Sequence, residues 1–492
     1  MATIPIVDSI AAIYGEHAGQ EKYVGAPPAV RMQRYHDLVK TFQAAYHRSP
    51  EFIARAPGRV NIIDIDSTRL EWSNYFKCGY KGAHQYLKRS EIRGMECLVE
   101  GNIPTGAGLS SSSAFVSCAA IATLMAQSAS LDKRMITEIA IRSERYVGVN
   151  SGGMDQACSI MTNPQSASFI EFHPHLKVTP VAFPQITPAL TFVMADSLVS
   201  ADKLVSAPTC YNLRVVETRL GALVLSKFLN LQPRPRIRAA HPLTYKLIMD
   251  EYFSQQAEQL QLNTATQPTR SPVEIWEHRL QAMLQCLTRA FRQVIPVDGA
   301  IENGVAPIAI AQYLGLPWEQ LAEVVEMDKY PVQATTFQLY RRARHVYSEA
   351  LRVVRFRATC ESFTTRVETE STGPGPNSSP VQTLYQTLGQ FMNQSHESCR
   401  DDFDCSCPEL DTLVGICRAA GAVGSRLTGA GWGGYTVSLV PGNQVTQFME
   451  QVTKQYYESR LSAADLRDKA AAILFASQPG HGAMVLRLPT KG

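Results

Sequence analysis

Hydrophobic positions recur along the chain with two spacings, one typical of strands and the other typical of helices. Short apolar runs bounded by glycine, proline or polar residues predict strands at 52–63 (two strands joined by a Pro-Gly turn), 95–100, 167–172, 177–183, 190–195, 435–440 and 483–488. Longer segments predict helices at 8–47 (with a break near 25–28), 72–87, 114–126, 137–149, 154–160, 211–229, 240–258, 273–293, 317–326, 335–356, 381–395, 408–420 and 443–458. Strands and helices are mixed rather than strictly alternating, which predicts an α+β fold.

Length and composition predict a large globular protein without a strongly charged surface. The 492 residues exceed what one ordinary core accommodates, so we expect two domains, at 1–195 and 196–492. A net charge of only +3 gives no basis for nucleic-acid or membrane partners. No signal-peptide pattern or bilayer-length apolar run is present, and eleven cysteines are scattered along the chain. These features predict a cytoplasmic protein with reduced thiols.

The most informative stretch is Gly101–Ala114, in which three glycines and four consecutive serines separate a predicted strand from an apolar helix. Glycines let the backbone approach a ligand closely, and a helix that starts on serines presents free N–H groups and the positive end of its dipole. This pattern predicts an anion cradle for a nucleotide phosphate, and serine hydroxyls can also bind Mg²⁺. The alternative is a flexible linker, although linkers rarely lead directly into so apolar a helix. The stretch is not a Walker A motif, because no Gly-Lys-Ser/Thr follows.

Charged residues beside two tight turns are further candidates. Arg55 and Arg59 bracket the Pro-Gly turn, where a guanidinium can bind a phosphate or carboxylate, or both side chains can simply be exposed. Asp155 follows two glycines at a predicted helix start, which makes it either a reactive carboxylate on a fixed mount or an ordinary N-cap. A second glycine-rich loop, Gly424–Gly434, indicates another close approach of the backbone.

Three of these patterns occur in an order that is typical of one enzyme family. They are Ala-Pro-Gly-Arg-Val-Asn at 56–61, Gly-Ala-Gly-Leu-Ser-Ser-Ser-Ser-Ala at 106–114 and Gly-Ser-Arg-Leu-Thr-Gly-Ala-Gly-Trp-Gly-Gly at 424–434. Through them the chain resembles the galactokinase branch of the GHMP small-molecule kinases. It looks closest to fungal galactokinases, with the N-acetylgalactosamine kinases a near second. Segments more specific to the branch lie at 72–79, 146–156, 207–214, 339–349 and 392–400.

The resemblance implies a two-domain GHMP kinase fold, with the N-terminal kinase domain at 1–195, the C-terminal one at 196–492 and the active site between them. It implies transfer of the γ-phosphoryl group of ATP to the anomeric hydroxyl of D-galactose, the first step of galactose catabolism by the Leloir route. The expected ligands are therefore ATP, Mg²⁺ and galactose.

The resemblance also assigns roles to individual residues. Asp155 matches the catalytic aspartate, which accepts or orients the proton of the sugar hydroxyl. Arg59 matches the arginine that stabilises Asp155 and the transferred charge, while Glu144 and Ser112 match the Mg²⁺ ligands. The expected phosphate-binding residues are Gly106, Gly108, Ser110, Ser111, Ser112 and Ser113, and the expected substrate-binding residues are Gly153, Asp155 and Tyr211.

One departure from the family pattern lies directly after Ile63. In the family this position runs into Gly-Glu-His-x-Asp-Tyr, whose acidic and histidine side chains hold the sugar hydroxyls. Here Asp64–Thr68 follows instead, so the sugar-binding motif and the strands around it are missing. Gly15-Glu16-His17 is no substitute, because it precedes the first signature. We therefore expect weak or absent galactokinase activity, since buried polar groups that recognise hydroxyls carry much of the discrimination between sugars.

Other functional interpretations stay open at this point, among them a nucleotide-binding remnant without sugar function, which is expected if the missing motif is a true loss that the fold tolerates. Two further ones follow. The first is a non-catalytic galactose and ATP sensor that binds a transcriptional regulator, as some fungal relatives do. That sensor type lacks a Ser-Ala pair after the serine run, and the presence of Ser113 and Ala114 favours the enzyme. The second is an N-acetylgalactosamine kinase, against which Tyr211 argues because it matches a tyrosine that contacts sugar in galactokinases.

Overall fold

The computed structural model describes residues 3–7, 28–55, 72–89, 93–101, 103, 110–147, 152–173, 175–199, 208–231, 243–259, 271–295, 299–369 and 379–488. The chain forms two compact units. The first comprises Met1–Ser200, Val367–Val381 and Pro408–Gly492, and the second comprises Ala201–Arg366 and Gln382–Cys407. The division into kinase domains at residue 195, with an active site between them, stays a prediction.

The α-helices alternate irregularly with nine short strands in the described ranges. In chain order the helices are α1 (Pro28–Tyr46), α2 (Trp72–Leu87), α3 (Ser111–Ala126), α4 (Lys133–Glu144), α5 (Met154–Met161), α6 (Tyr211–Phe228), α7 (Tyr245–Gln259), α8 (Pro272–Arg292), α9 (Pro307–Leu314), α10 (Trp318–Val324), α11 (Leu339–Thr369), α12 (Ser379–Asp401), α13 (Pro408–Ala419), α14 (Val445–Val452) and α15 (Ala463–Ile473). The strands are β1 (Ile6–Val7), β2 (Phe52–Arg55), β3 (Ser166–Glu171), β4 (Lys177–Ala182), β5 (Leu190–Asp196), β6 (Gly424–Leu427), β7 (Tyr435–Pro441), β8 (Leu474–Ser477) and β9 (Met484–Arg487).

The strands form three sheets, all in the first unit. One sheet has the order β1-β9-β2, with β1 parallel and β2 antiparallel to β9. Strands β3 and β4 form an antiparallel pair. The third sheet is antiparallel with the order β6-β7-β5-β8, and its central pair places Leu190 opposite Pro441 and Asp196 opposite Tyr435.

Helix α3 lies at the centre of one core of the first unit, where α2, α4, α5 and β2 pack against it. Its small and apolar side chains, such as Ala120 and Leu124, are fully buried. Gly79 lets α2 approach very closely, because a Cβ there would lie 2.5 Å from the Val116 carbonyl oxygen and 2.7 Å from the Ala119 Cβ. Contacts on several sides fix the direction of α3, and with it the position of its N-terminus.

The second glycine-rich loop packs against the chain that follows β5. The Gly434 N–H donates to the Val199 carbonyl at 2.9 Å. A Cβ on Gly433, whose φ is 142°, would lie 2.4 Å from that same oxygen. The Tyr456 hydroxyl donates to the carbonyl of Ser197 at 2.8 Å in the same segment. The close backbone approach that the loop glycines predict is therefore confirmed within the first unit.

The second unit is helical in the ranges described, apart from a single bridge between Val305 and Phe337. Helix α6 is its centre, with α7, α8 and α9 packed against it. Gly221 allows this contact, since a Cβ there would lie 2.0 Å from the Tyr245 hydroxyl. The Tyr347 hydroxyl of α11 donates to the Tyr245 carbonyl at 2.9 Å and joins α11 to α7.

The α+β class and most predicted elements are confirmed, with boundaries shifted by a few residues. Helix α11 extends to Thr369, well beyond the predicted end at 356. The helix predicted over 443–458 is shorter in the structure, where α14 ends at Val452 and a π-helical turn at Thr453–Tyr457 follows it. The sequence patterns did not reveal α9, α15, β1, β6 or β8. The predicted helix over 8–27 and the predicted strand near 59–63 lie outside the described residues.

The predicted strand at 95–100 is wrong, because this segment has no regular structure. It is held beside α1 by side chains instead: Arg34 pairs with Glu100 at 2.9 Å and Arg48 pairs with Glu96 at 2.7 Å. A strand needs a neighbouring backbone to complete its hydrogen bonds. No strand that the structure describes pairs with this segment.

Two further expectations can be compared with the structure. None of the eleven cysteines, which all fall within the described ranges, forms a disulfide bond in the structure, and their reduced state stays a prediction. Among the helices that the structure describes, none is both long enough and apolar enough to cross a membrane.

Candidate active site

Asp155 lies in the first turn of α5, and the chain enters that helix through a glycine. Gly153 has a φ of 89°, a conformation that L-residues with a Cβ rarely adopt. A Cβ at this position would lie 2.4 Å from Cδ1 of Ile141. The local sequence therefore fixes where α5 starts, and the Asp155 side chain is only 7% exposed.

Ser110 connects this carboxylate to the N-terminus of α3. Its φ of 54° and ψ of 45° are left-handed, and the residue immediately precedes the helix. The Ser110 hydroxyl donates to Oδ2 of Asp155 at 2.7 Å, and both side chains are buried. A non-glycine residue in this conformation stores strain, which a specific contact can offset.

Glu144 is the second carboxylate of the site and ends helix α4. Only 1% of it is exposed, and the hydroxyl of Ser113 donates to its Oε2 at 2.9 Å. The amide of Gln156 also donates to Oε2, and the Ser112 side chain is a further hydrogen-bond partner. Burial, together with the nearby charge of Asp155, raises the pKa of Glu144 to about 7 despite these hydrogen bonds.

The donor atoms of this cluster fit Mg²⁺. Two carboxylates lie close enough to repel each other, and hydroxyl oxygens surround them, which is the hard oxygen chemistry that Mg²⁺ prefers. A cation here would favour the ionised form of Glu144. Within the described residues no group of three or more acidic, histidine or cysteine side chains is placed to hold a metal. A bound Mg²⁺ would therefore take its remaining ligands from water and from a nucleotide phosphate, as Mg²⁺ commonly does.

The N-terminus of α3 provides the groups that suit an anion. The first N–H groups of a helix have no intrahelical acceptor, and they combine with the positive end of the dipole. Helix α3 begins at Ser111, and the half-buried Ser111 and Ser112 lie in its first turn. Four of the predicted phosphate-binding residues, Ser110–Ser113, thus come together with Glu144 and Asp155. Their roles stay predictions.

Three features of the site did not follow from the sequence analysis. Ser110 was assigned to phosphate binding alone, yet its hydroxyl donates to Asp155. Gln156 was not selected, although its position next to Asp155 places it beside Glu144. Cys78 of α2 is buried, and its burial and the Glu144 charge raise its pKa to about 11, so the thiol stays protonated.

The remaining predicted site residues lie elsewhere in the chain. Arg59, Gly106 and Gly108 are outside the described residues. Tyr211 begins α6 in the second unit and is half-buried. Its predicted contact with sugar stays a prediction.

Models of known protein families match three segments of the chain. The family described as GHMP kinases N terminal domain matches residues 74–163, which include most of α2, all of α3 to α5 and both carboxylates of the site. The family described as GHMP kinases C terminal matches residues 381–458. The galactokinase galactose-binding signature matches residues 40–64.

Individual relatives cover nearly the whole chain. The galactokinase of Dictyostelium discoideum is 33% identical over 485 residues, covering 96% of this chain and 88% of the relative. The galactokinase of Saccharomyces cerevisiae is 31% identical over 530 residues, covering 92% of this chain and 94% of the relative. The crystal structure of Lactococcus lactis galactokinase complexed with galactose is similar in fold, with a TM-score of 0.53 and 18% identity, over 92% of this chain and 100% of that one. The chain therefore belongs to the galactokinase family of GHMP kinases.

Proposed function

We propose that the chain is an ATP-dependent sugar 1-kinase that transfers the γ-phosphoryl group of ATP to O1 of D-galactose. The products are ADP and galactose 1-phosphate, and the proton of the sugar hydroxyl is released. The observation that supports this proposal most strongly is the convergence of Asp155, Glu144 and the N-terminus of α3. A base, a metal-binding carboxylate and an anion site are the parts that phosphoryl transfer needs close together.

In this proposal Asp155 accepts or orients the proton of the attacking hydroxyl, and Ser110 fixes the direction of its carboxylate. Arg59 stabilises Asp155 and the charge that spreads over the transferred group. Positioning and charge neutralisation provide most of the rate acceleration in this class of reaction, so the fixed geometry around Asp155 matters as much as its basicity.

Mg²⁺ would be held by Glu144 and Ser112 and would neutralise charge on the β- and γ-phosphates. Ser113 and Gln156 hold the Glu144 carboxylate through hydrogen bonds to its Oε2. The phosphates would lie on the first turn of α3 and on the preceding loop. The phosphate-binding residues of this proposal are Gly106, Gly108, Ser110, Ser111, Ser112 and Ser113.

The sugar would contact Gly153, Asp155 and Tyr211. The missing Gly-Glu-His-x-Asp-Tyr motif removes side chains that would hold sugar hydroxyls, so we expect the KM for galactose to be high. Nucleotide binding and the chemical step depend on residues that the chain retains. The deficit should therefore appear in sugar affinity more than in ATP affinity.

The proposal can be tested by measuring ADP release from ATP and Mg²⁺ with D-galactose or N-acetylgalactosamine, together with titration calorimetry of each ligand. We expect slow turnover that prefers galactose and that Asp155→Asn abolishes. Asp468→Asn, on the exposed surface of α15, is the matched control and should keep the wild-type rate. ATP binding without turnover of either sugar would overturn the proposal, and preference for N-acetylgalactosamine would overturn the assignment of galactose.

A further inference from the structure

The second unit contains a cavity of about 540 Å³ that the catalytic proposal does not use. It lies between the start of α11 and the end of α12. Its lining comes from two segments that the sequence analysis singled out, 339–349 and 392–400, and from residues next to them. The lining is almost entirely charged: Arg341, Arg342, Arg344, Arg400, Asp401 and Asp404. Its volume lies in the range typical of small-molecule sites.

Most of these guanidinium groups already have carboxylate partners. Arg344 forms a bidentate pair with Asp402, at 3.0 and 3.1 Å from its Nε. Arg400 donates to both oxygens of Asp401, at 2.7 and 2.9 Å. These pairs hold the two arginines in place and leave part of each guanidinium facing the cavity.

Arg342 is the most deeply buried arginine of the wall, with 2% of its side chain exposed. It donates to Glu217 at 2.6 Å, and Glu217 also pairs with Arg214 at 3.2 Å. Asp404 completes this group through contacts with both arginines. The two buried arginines therefore share one buried carboxylate, Glu217, and one exposed carboxylate, Asp404.

Among the residues that the structure describes, no carboxylate forms an ion pair with Arg341. Its Nη1 donates to the Asp401 carbonyl at 3.3 Å, and its Nε is buried. Four arginines and two aspartates are the charged residues that line the cavity in the described part of the chain, so positive charge predominates in its wall. Because Arg341 lines the cavity, the other N–H groups of its guanidinium can donate hydrogen bonds to an anion there.

We propose that this cavity binds the phosphate group of a small hydroxylated molecule, with Arg341 as the principal contact. Guanidinium groups suit tetrahedral oxyanions because they donate pairs of parallel hydrogen bonds. The volume exceeds that of a bare phosphate, and the exposed carboxylates of Asp401 and Asp404 can accept hydrogen bonds from hydroxyl groups. These features favour a sugar or polyol phosphate over free orthophosphate.

Protection from arginine modification tests the proposal on the unaltered chain. The chain is treated with phenylglyoxal in the presence of orthophosphate, galactose 1-phosphate or galactose, and the modified residues are identified by peptide mass spectrometry. We expect both phosphates to slow modification of Arg341, with galactose 1-phosphate effective at about a tenfold lower concentration. Galactose alone should give no protection. Arg355, also on α11 but outside the cavity and 41% exposed, should react equally in all samples.

Absence of protection at Arg341 at saturating concentrations of both phosphates would overturn the proposal. Equal protection by orthophosphate and galactose 1-phosphate would overturn the preference for a hydroxylated carrier. Calorimetry adds a second test: Arg341→Gln should remove one galactose 1-phosphate site per chain, whereas Arg355→Gln should retain it. Identical isotherms for the two variants would contradict the proposal. The labelling experiment reports on one residue and does not depend on turnover, so its result is separate from the fate of the kinase proposal.

Discussion

The hydroxyl of Ser110 donates a 2.7 Å hydrogen bond to Oδ2 of Asp155, across 45 residues of sequence. Because the acceptor is the proposed base, we predict that removing this hydroxyl misorients the carboxylate. Ser110→Gly should lower kcat by roughly tenfold, the kinetic equivalent of one hydrogen bond to a charged group. Steady-state kinetics with galactose and ATP measure the effect.

Glycine is the informative substitution here, because it tolerates the φ of 54° and so separates the loss of the hydroxyl from backbone strain. Ser110→Ala should lower kcat to the same extent and should also lower the free energy of unfolding, because alanine is strained at this φ. Ser128→Ala is the matched control, since Ser128 also has a positive φ, of 51°, but lies at the other end of α3. Wild-type kcat in Ser110→Gly would contradict the positioning role.

The raised pKa of Glu144 predicts an unusual dependence of stability on pH. Between the ordinary glutamate pKa of 4.5 and the folded value of about 7, the folded chain holds a proton that the unfolded chain has released. Stability should therefore fall as pH rises through this interval, by about 3 kcal/mol, and level off above pH 7. Urea unfolding of the metal-free chain at a series of pH values measures this contribution.

Glu144→Gln removes the titration while keeping the shape of the side chain, so its stability should be flatter over the same interval. Glu138→Gln provides the control, because Glu138 lies on the same helix with an exposed side chain. An unchanged slope in Glu144→Gln would contradict the assignment of the pKa of about 7 to this residue.

Mg²⁺ binding should depend on the ionisation of the same carboxylate, that of Glu144. A cation favours the ionised form, so adding Mg²⁺ with a non-hydrolysable ATP analogue should reduce the loss of stability between pH 5 and 7. Glu144→Gln should raise the Mg²⁺ concentration for half-maximal activity by roughly tenfold or more, while Glu138→Gln should leave it unchanged. Equal Mg²⁺ dependence in both variants would exclude Glu144 as a ligand.

Local patterns in the sequence were sufficient to predict the parts of the site that a single segment determines. The serine run before an apolar helix predicted the start of α3, and the glycines before Asp155 predicted the start of α5. The Ser110–Asp155 and Gln156–Glu144 contacts depend instead on how α3, α4 and α5 pack. Composition and periodicity contain no information about such tertiary contacts.

The strand predicted at 95–100 failed for a related reason. Its apolar residues fit a strand pattern, but a strand also requires a neighbouring strand. This segment instead contacts side chains of α1 and of Arg48 just after it. Tertiary pairing, rather than local preference, thus decided the conformation of this segment.

Adjacent glycines before α5 offer a direct test of the backbone geometry that presents Asp155. Gly153→Ala should destabilise the fold by about 1–3 kcal/mol, because its φ is 89° and Ile141 occupies the space of a Cβ. Gly152→Ala should be close to neutral, since nothing lies within 4 Å of a Cβ at that position. Urea unfolding midpoints measure both variants, and equal midpoints would refute the strain argument.

The buried ion pairs of the second unit predict that substituting one glutamate lowers the free energy of unfolding much more than substituting another. Glu217 is 1% exposed and accepts from Arg214, from Arg342 and from the Gln338 N–H at 2.7 Å. Glu217→Gln removes the buried negative charge that two buried guanidinium groups share. We therefore expect the free energy of unfolding to fall by about 3–5 kcal/mol.

Glu326 provides the comparison, because its side chain is 22% exposed and pairs with Arg219 at 3.0 Å nearer the surface. Glu326→Gln should cost less than about 1 kcal/mol, since solvent screens the charges and the guanidinium also donates to a backbone carbonyl. Thermal unfolding of the two variants at low and high salt measures the difference. The Glu217→Gln loss should persist at high salt, because solvent ions screen a buried pair weakly. A small, salt-dependent effect at Glu217 would show that solvent reaches the pair and would contradict its burial.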